Sequence, residues 1–339
     1  MPPLRLTLRS LAAEAGVSVA TMSFALRNSR EISAATRDRL QRLAVARGYQ
    51  PDPHVAKLMR HLRRRGPARE VANICGLAQR WGHPAPKGNY RDRLWTSLHA
   101  RAGSLGYNFS VIDLDDYPQP AQLHRVLVSR GIEGVLLLPM RTPLDLSERL
   151  DWRAFSTVSV TSSILAPQFH SVMPHHFDNM IRACRHLAQA GFRRIGMAMS
   201  KEWDVRSSHR WAGGIAWQNQ FGGTATVTPL IEDRAGSSLD PVIFKRWLLR
   251  QRPDVVILET LDSIILDEVV QKLPAKQRPK IVTMNWPMSG ADGGIDQRVE
   301  RIGSVAIEVL AAMLDRGEKG IPEIPSSTMI EGRWMKGGR

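Results

Sequence analysis

Apolar positions recur at helical spacing in three short runs within about the first fifty residues. Each run follows a serine or threonine whose side chain can accept a hydrogen bond from the first turn of a helix. The capping residues and the runs that they begin are Thr7 before 8–15, Ser18 before 19–26 and Ser33 before 34–48. Gly16 can adopt the left-handed conformation that a sharp turn between two helices requires. The pattern predicts three helices, the first two joined as a helix-turn-helix unit.

The pattern changes at about residue 71 to apolar strands that alternate with helical segments. Strands are predicted at 71–78, 107–114, 132–139, 193–199, 253–259 and 279–285. Helices are predicted at 90–106, 120–131, 177–191, 209–220 and 244–252. This alternation predicts an α/β fold of two doubly wound lobes, whose parallel sheets are covered on both faces by helices. Ligands of such folds bind at the carboxyl ends of the strands.

The basic charge of the chain is concentrated at its start. Residues 1–69 carry 14 Lys and Arg against four acidic residues, which is +10 of the total formal charge of +15. Charge of this sign on one small domain suggests contact with DNA phosphates, which depends strongly on salt. Composition alone leaves a merely solvated basic surface open as the alternative.

Residues 6–58 resemble the headpiece of the LacI/GalR repressor family. The matching elements are A-G-V-S-x-x-T-x-S, I-S-x-x-T-R and the closing G-Y-x-P. The resemblance implies that a second helix in the major groove reads bases with Val19, Ala20 and Phe24. It also implies that hydroxyl-bearing residues hold the phosphate backbone, namely Ser18, Thr21, Ser23, Ser33 and Thr36. Thr7 and Asn28 complete the DNA-binding set that we expect.

Phe24 departs from the family pattern, since many members have a polar or basic residue at this position. A phenyl ring cannot donate a hydrogen bond to guanine, but it can pack on a thymine methyl group. The alternative is that Phe24 packs against the protein and reads nothing. In either case the base-reading trio is apolar, so we expect an unusual operator half-site.

A short hinge helix is expected at about 52–60, because Asp52 and Pro53 form a good helix start. By its resemblance to the family, this helix orders on the operator and inserts Leu58 into the minor groove, where apolar wedges kink DNA. Met59 is the wedge instead of Leu58 if the alignment with the family is shifted by one residue. The alternative is that Leu58 belongs to the core of the next domain. We therefore expect a headpiece at 1–60, a basic linker at 61–70 and a two-lobed domain at 71–339.

The two-lobed domain resembles the effector domain of the same family, which is built like a periplasmic sugar-binding protein. The resemblance implies three chain crossings between the lobes, with a helix at 301–317 returning to the first lobe. It also implies a carbohydrate-like effector between the lobes. The effector contacts that we expect at strand ends and helix starts are Tyr90, Met140, His175, Arg210, Glu259 and Trp286.

Some of these positions are less firmly aligned than others. The acidic ligand residue of the family falls at Glu259 or Asp262, and any of several strand-end tryptophans can stack on a sugar. Where many members have Asp-Asn, this chain has Pro174 and His175. A hydroxyl-binding aspartate is then missing, so the effector need not be an ordinary hexose or pentose.

Other function classes find little support. There is no nucleophile elbow, P-loop or dinucleotide-binding glycine motif, so we expect no enzyme and no cofactor. Cys75 and Cys184 are read as small buried residues, and the histidines at 170, 175 and 176 lack the partners of a metal site. No apolar run is long enough to span a membrane, so a cytoplasmic location is expected.

The expected partners are a near-palindromic double-stranded operator, a small-molecule effector and a second copy of the chain, because a two-fold operator matches a two-fold dimer. No tetramer is expected. The rival hypothesis is a constitutive or architectural DNA-binding regulator whose effector cleft is vestigial.

Overall fold

The computed structural model describes residues 7–26, 31–49, 72–80, 86–160, 162–233, 238–259, 265–287 and 290–337. Asn28 and Leu58, together with the expected hinge helix and basic linker, lie outside these residues.

The headpiece contains the three predicted helices, α1 (Leu8–Glu14), α2 (Val19–Leu26) and α3 (Ala34–Ala46). Each of the three expected capping side chains accepts a hydrogen bond from a backbone N–H three residues later. Gly16 has a φ of +67°, the left-handed conformation predicted for the turn. Local capping therefore fixes where each helix begins.

A small apolar core holds the three helices together. Leu11, Met22 and Leu40 are fully buried, one from each helix. Gln41 on α3 donates a hydrogen bond from Nε2 to the Ala25 carbonyl oxygen of α2 at 2.8 Å. Packing and this bond together fix α2 against α3.

Lobe 1 is built on a six-stranded parallel sheet with the order β13-β7-β5-β3-β1-β2. Its strands are β1 (Asn73–Ala78), β2 (Asn108–Asp113), β3 (Ile132–Leu137), β5 (Ser156–Ser159), β7 (His170–Pro174) and β13 (Ser327–Ile330). A separate two-stranded sheet pairs β4 (Leu144–Asp145) with β6 (Ile164–Ala166). The helices of lobe 1 are α4 (Tyr90–Leu105), α5 (Pro120–Ser129) and α10 (Val299–Arg316).

Lobe 2 has a second six-stranded sheet with the order β14-β12-β11-β10-β8-β9. Its strands are β8 (Arg194–Ser200), β9 (Thr226–Glu232), β10 (Val255–Leu258), β11 (Lys280–Thr283), β12 (Gly293–Asp296) and β14 (Arg333–Lys336). Its α-helices are α6 (His176–Gln189), α7 (Lys201–Arg206), α8 (Arg210–Phe221) and α9 (Pro241–Gln251), and a π-helical segment spans Ile265–Val270. The sheet is parallel except for β14, which runs antiparallel to β12. The expectation of purely parallel sheets was wrong for this edge strand.

The chain passes between the lobes three times, as the family resemblance implied. It leaves lobe 1 between β7 and α6, returns between β12 and α10, and leaves again between β13 and β14. The predicted helix at 301–317 is α10, which packs against α4 of lobe 1. Predicted and observed helix starts differ at α9, which begins at Pro241 because Asp240 caps it.

Both cysteines are buried, as predicted, Cys75 in lobe 1 and Cys184 in lobe 2. Burial raises the pKa of each thiol to about 12. Neither thiol is therefore reactive in the folded protein. Among the described helices, none is long and apolar enough to cross a membrane.

Candidate functional site

The first turn of α2 presents two small apolar side chains to solvent. Val19 is 43% exposed and Ala20 is also exposed. Phe24, one turn later, is half-buried. An exposed first turn on a rigid three-helix unit is the geometry in which a helix-turn-helix presents its second helix to the major groove.

Paired hydroxyls flank this turn. Ser18 and Thr21 lie 2.8 Å apart through their hydroxyl oxygens, and Ser33 and Thr36 form a second pair at the same distance. Each pair uses one hydroxyl hydrogen between its members, which leaves the other to donate to an outside acceptor such as a phosphate oxygen. Thr7 is exposed at the start of α1, where it forms a reciprocal capping box with Ser10.

The second candidate site lies where strands of both lobes end. Tyr90 begins α4 after β1, Arg210 begins α8, and Glu259 follows β10. Tyr90 and Glu259 each lie within electrostatic range of Arg206, while Arg206 and Arg210 both lie within range of His176. The carboxyl ends of the two sheets therefore share one cluster of ionisable groups, which we call the interlobe cluster (Tyr90, His176, Arg206, Arg210 and Glu259).

Arg206, in the last turn of α7, lies at the centre of this cluster. Its guanidinium carbon lies 3.8 Å from the centroid of the Trp203 ring, a cation–π arrangement. Burial lowers the pKa of Arg206, while the charges of Glu259, Glu202 and Tyr90 act in the opposite direction. The guanidinium stays charged even so, because arginine is not deprotonated in proteins.

His176 is held neutral next to the two arginines. Burial, together with the charges of Arg210, Arg206 and His175, lowers the pKa of its imidazole to about 3. The ring packs edge-on against Trp211, with centroids 5.1 Å apart and an interplanar angle of 83°. At neutral pH the cluster therefore contains an uncharged imidazole between positive groups.

Burial also keeps the hydroxyl of Tyr90 uncharged. Burial raises the pKa of its hydroxyl to about 12, against the opposing charges of Arg206 and Arg93. The phenol is therefore protonated at neutral pH and can donate a hydrogen bond to a ligand.

Glu259 is 2% exposed and belongs to a polar network at the ends of β10, β11 and β12. Its Oε1 accepts a hydrogen bond from Asn285 Nδ2 at 2.7 Å, and Asn285 Oδ1 accepts one from Gln297 Nε2 at 2.7 Å. The network fixes the carboxylate at the edge of the lobe 2 sheet. Asp262, the alternative acidic residue, lies outside the described residues.

Arg210 lines a cavity of about 290 Å³ between the lobes, and the other four members of the interlobe cluster do not line it. Its Nη1 lies 3.2 Å from the Ser207 carbonyl oxygen and 3.5 Å from Ser162 Oγ of lobe 1. Lobe 1 lines this cavity with residues that include Ser159, Ser171 and Met173. A wider groove of about 760 Å³ on lobe 1 is lined by α5 and the 147–153 segment, not by strand ends.

The other three expected effector residues are placed differently. Met140 is fully buried in the core of lobe 1, where its backbone N–H donates to Ser163 Oγ, so contact with a ligand would require that core to move. His175 caps α6, because its Nδ1 accepts the Asp178 N–H at 3.2 Å. Trp286 is half-buried, and its carbonyl oxygen accepts a hydrogen bond from Arg93 Nη1 at 2.8 Å.

Sequence reasoning missed Arg206, His176 and the Asn285–Gln297 pair. Their positions in the sequence could have identified them, since each of these residues follows a strand or lies at a helix end near the strand ends. Within the part of the chain that the structure describes, no group of three His, Cys, Asp or Glu side chains could hold a metal ion.

The chain is similar in sequence and in fold to known regulatory proteins. Residues 7–52 match the family described as bacterial regulatory proteins, lacI family. The HTH-type transcriptional repressor CytR of Escherichia coli (strain K12) is 26% identical over 200 residues, which are 58% of this chain and 54% of CytR. The sucrose operon repressor of Escherichia coli is 24% identical over 191 residues, 56% of this chain and 54% of that repressor. The chain thus spans about half the length of the curated relatives that it matches.

Solved structures extend the likeness to the whole chain at the level of fold. The transcriptional regulator CelR in complex with cellobiose has a TM-score of 0.59 and 18% identity, over 98% of this chain and 100% of that one. The lac repressor dimer bound to operator and the anti-inducer ONPF has a TM-score of 0.56 and 15% identity, over 98% of each chain. The arrangement of a helical headpiece and a two-lobed α/β domain, like that of periplasmic binding proteins, is therefore shared with these regulators.

Proposed function

We propose that this chain, whose residues 7–52 match the lacI family of bacterial regulatory proteins, is a sequence-specific DNA-binding transcription regulator, most simply a repressor. The observation that carries the proposal is the exposed first turn of α2, with Val19 and Ala20 on a capped and packed three-helix unit within the matching segment. The family and the relatives that match are regulators and not enzymes. A regulator of this kind acts on chromosomal DNA in the cytoplasm.

The two-lobed domain regulates DNA binding by the headpiece. A small carbohydrate-like effector binds between the lobes at the interlobe cluster and changes the affinity of the headpiece for its operator. CelR was solved with cellobiose, and the Cra transcriptional dual regulator of Pseudomonas putida with fructose 1-phosphate, which supports a small-molecule effector for this chain. The enclosed Nε of Arg206 and Nδ1 of His176 have no hydrogen-bond partner among the described residues. Polar atoms are costly to bury without partners, so these two favour a working effector site over the vestigial cleft of a constitutive regulator.

Each segment of the chain has a separate role in this proposal. The headpiece at 1–60 binds DNA, with the 52–60 segment as the hinge and Leu58 as the minor-groove wedge. The 61–70 linker adds basic charge, and the domain at 71–339 binds the effector and a second copy of the chain. Val19, Ala20 and Phe24 read bases, while the hydroxyls of the two pairs contact phosphates.

Selection of bound sequences from random double-stranded DNA tests the proposal. The full chain is expected to enrich a near-palindromic site, to bind it as a dimer, and to lose affinity steeply as salt rises. A scrambled duplex of equal length and base composition is the control. Failure to enrich any sequence over the scrambled duplex contradicts sequence-specific binding, and a solution mass of four chains contradicts the dimer.

A further inference from the structure

Arg206 has hydrogen-bonding capacity that the described protein does not use. Its Nε is enclosed and has no hydrogen-bond partner, and none of its nitrogens donates to another described residue. Arg93, by contrast, makes four hydrogen bonds with Trp286, Asp296 and Glu300. Arg206 is half-buried, and an enclosed Nε–H without an acceptor is unfavourable by itself, so its position near the strand ends points to a ligand that completes it.

The orientation of this guanidinium is fixed in advance. Its carbon lies 3.8 Å from the centroid of the Trp203 ring, and Trp203 itself packs against the core of lobe 2. A planar group held over a ring presents its edge donors in a set direction. The arginine fork matches the geometry of a carboxylate or phosphate, which accepts two parallel N–H bonds.

Arg210 adds a second positive charge from the start of the next helix. Its Nη1 contacts the Ser207 carbonyl oxygen and Ser162 Oγ, both uncharged acceptors. His176 lies within the field of both arginines and has an enclosed Nδ1 without a hydrogen-bond partner. One unpaired imidazole nitrogen therefore lies within electrostatic range of both arginines.

The acidic groups nearby do not occupy the fork. Glu259 and Glu202 attract Arg206 through their charge, but neither forms an ion pair or hydrogen bond with it. The Glu259 carboxylate accepts a hydrogen bond from Asn285 instead. These carboxylates lower the cost of burying Arg206 and leave its donors to another acceptor.

We propose that the effector carries an oxyanion group, a carboxylate or a phosphate on a carbohydrate-sized molecule, and that Arg206 and Arg210 bind this group. The inference rests on the proposed function, because it names the chemical class of the effector of that regulator. Tyr90, whose phenol stays protonated, donates to the uncharged part of the same ligand. A neutral sugar would leave the Arg206 fork without its best partner.

A matched series of probes tests this inference on the full chain. Neutral hexoses and pentoses, their aldonic and uronic acids, and their monophosphates are screened by thermal shift at constant ionic strength, and binders are measured by calorimetry. We expect an acidic member to bind at least about tenfold more tightly than its neutral counterpart. Comparison of the sugar acids with the sugar monophosphates shows whether the oxyanion group is a carboxylate or a phosphate.

Variants assign the binding to this site. R206Q is expected to weaken the acidic probe by about tenfold or more, and R206K to fall between wild type and R206Q, because lysine keeps the charge but loses the fork. R250Q is the matched control, since Arg250 is an exposed arginine of the same lobe and its loss changes the net charge equally. Circular dichroism confirms that each variant is folded.

Three results would overturn the inference: no acidic probe binds, a neutral probe binds as tightly as its acid, or R206Q binds the acid as well as R250Q does. Operator binding is measured in parallel on the wild type. Acid binding without sequence-specific DNA binding would contradict the proposed function and leave the anion site standing. Operator binding with release by neutral sugars alone would support the proposed function and contradict the anion site.

Discussion

Arg93 on α4 of lobe 1 and Asp296 at the end of β12 in lobe 2 form an ion pair across the two lobes, with Nη2 3.0 Å from Oδ1. The side chain of Arg93 is 15% exposed and that of Asp296 is 7% exposed. The same guanidinium donates to the Trp286 carbonyl oxygen in lobe 2. Arg93 therefore links the start of one lobe's first helix to two strand ends of the other.

Replacement of this arginine is expected to loosen the contact between the lobes. R93Q removes charge-assisted hydrogen bonds and leaves the Asp296 carboxylate with fewer partners, which should lower the free energy of unfolding by about 1–3 kcal/mol. Urea denaturation measures the loss, and small-angle scattering measures any opening of the lobes. R125Q, which removes an exposed arginine of lobe 1, is the control. Equal stability of R93Q and R125Q would contradict a structural role for this link.

Protonation of His176 is expected to destabilise the fold in acid. Its pKa falls from 6.5 to about 3 on folding, chiefly through burial. Between these values the unfolded chain binds a proton that the folded chain does not, so stability is complete above pH 6.5 and falls as the pH is lowered. The slope from this one group is at most about 1.4 kcal/mol per pH unit.

The test compares wild type with H176Q by urea unfolding at several pH values between 7.5 and 5. H176Q should lose this part of the slope while it keeps the contribution of the other groups. Identical slopes for the two proteins would show that His176 is not the group responsible.

Truncation of the headpiece core should abolish DNA binding without affecting the two-lobed domain. Leu11 is fully buried in a core of few residues, so L11A is expected to cost about 2–5 kcal/mol of headpiece stability. A domain this small has little stability to lose. V45A is the control, since Val45 is an apolar residue of α3 that is 80% exposed. Calorimetry should show the main transition retained in both variants, with operator binding lost only in L11A.

Substitutions on α2 should separate base reading from phosphate contact. F24A is expected to relax the preference at one position of the selected half-site, by about 1 kcal/mol or more if the ring packs on a thymine methyl. S18A should weaken binding to all sequences about equally. Binding-site selection with both variants measures this difference. A strong guanine preference that disappears in F24A would exclude the thymine interpretation.

The headpiece was predictable in detail because its determinants are local. Caps join residues three apart, and the Gly16 turn needs only one backbone conformation. The alternation of strands and helices likewise predicted the lobes. The antiparallel edge strand β14 was not predicted, because its pairing with β12 joins segments about forty residues apart and leaves no mark on local periodicity.

The candidate effector site was predictable only in part, because its residues come together from distant parts of the chain. Strand ends and helix starts marked Tyr90, Arg210 and Glu259, which lie within electrostatic range of Arg206 or His176. The same rule also marked Met140, which the core of lobe 1 encloses. Arg206 was missed because the feature that marks it is an enclosed Nε without a hydrogen-bond partner in the described part of the chain. The absence of a partner can be seen only in the folded structure.

The two short strands β13 and β14 are separated by two residues, yet each forms an edge of a different sheet. Neither sheet is complete until this single segment has been synthesised, because β13 covers β7 and β14 covers β12. While the chain emerges from the ribosome, both lobes therefore expose an unpaired strand edge, which is a surface prone to association with other chains. A stop codon shortly before residue 327 would leave both edges open at once, so such a truncation should be found in aggregates or degraded, even though it spares every residue of the headpiece and of the interlobe cluster.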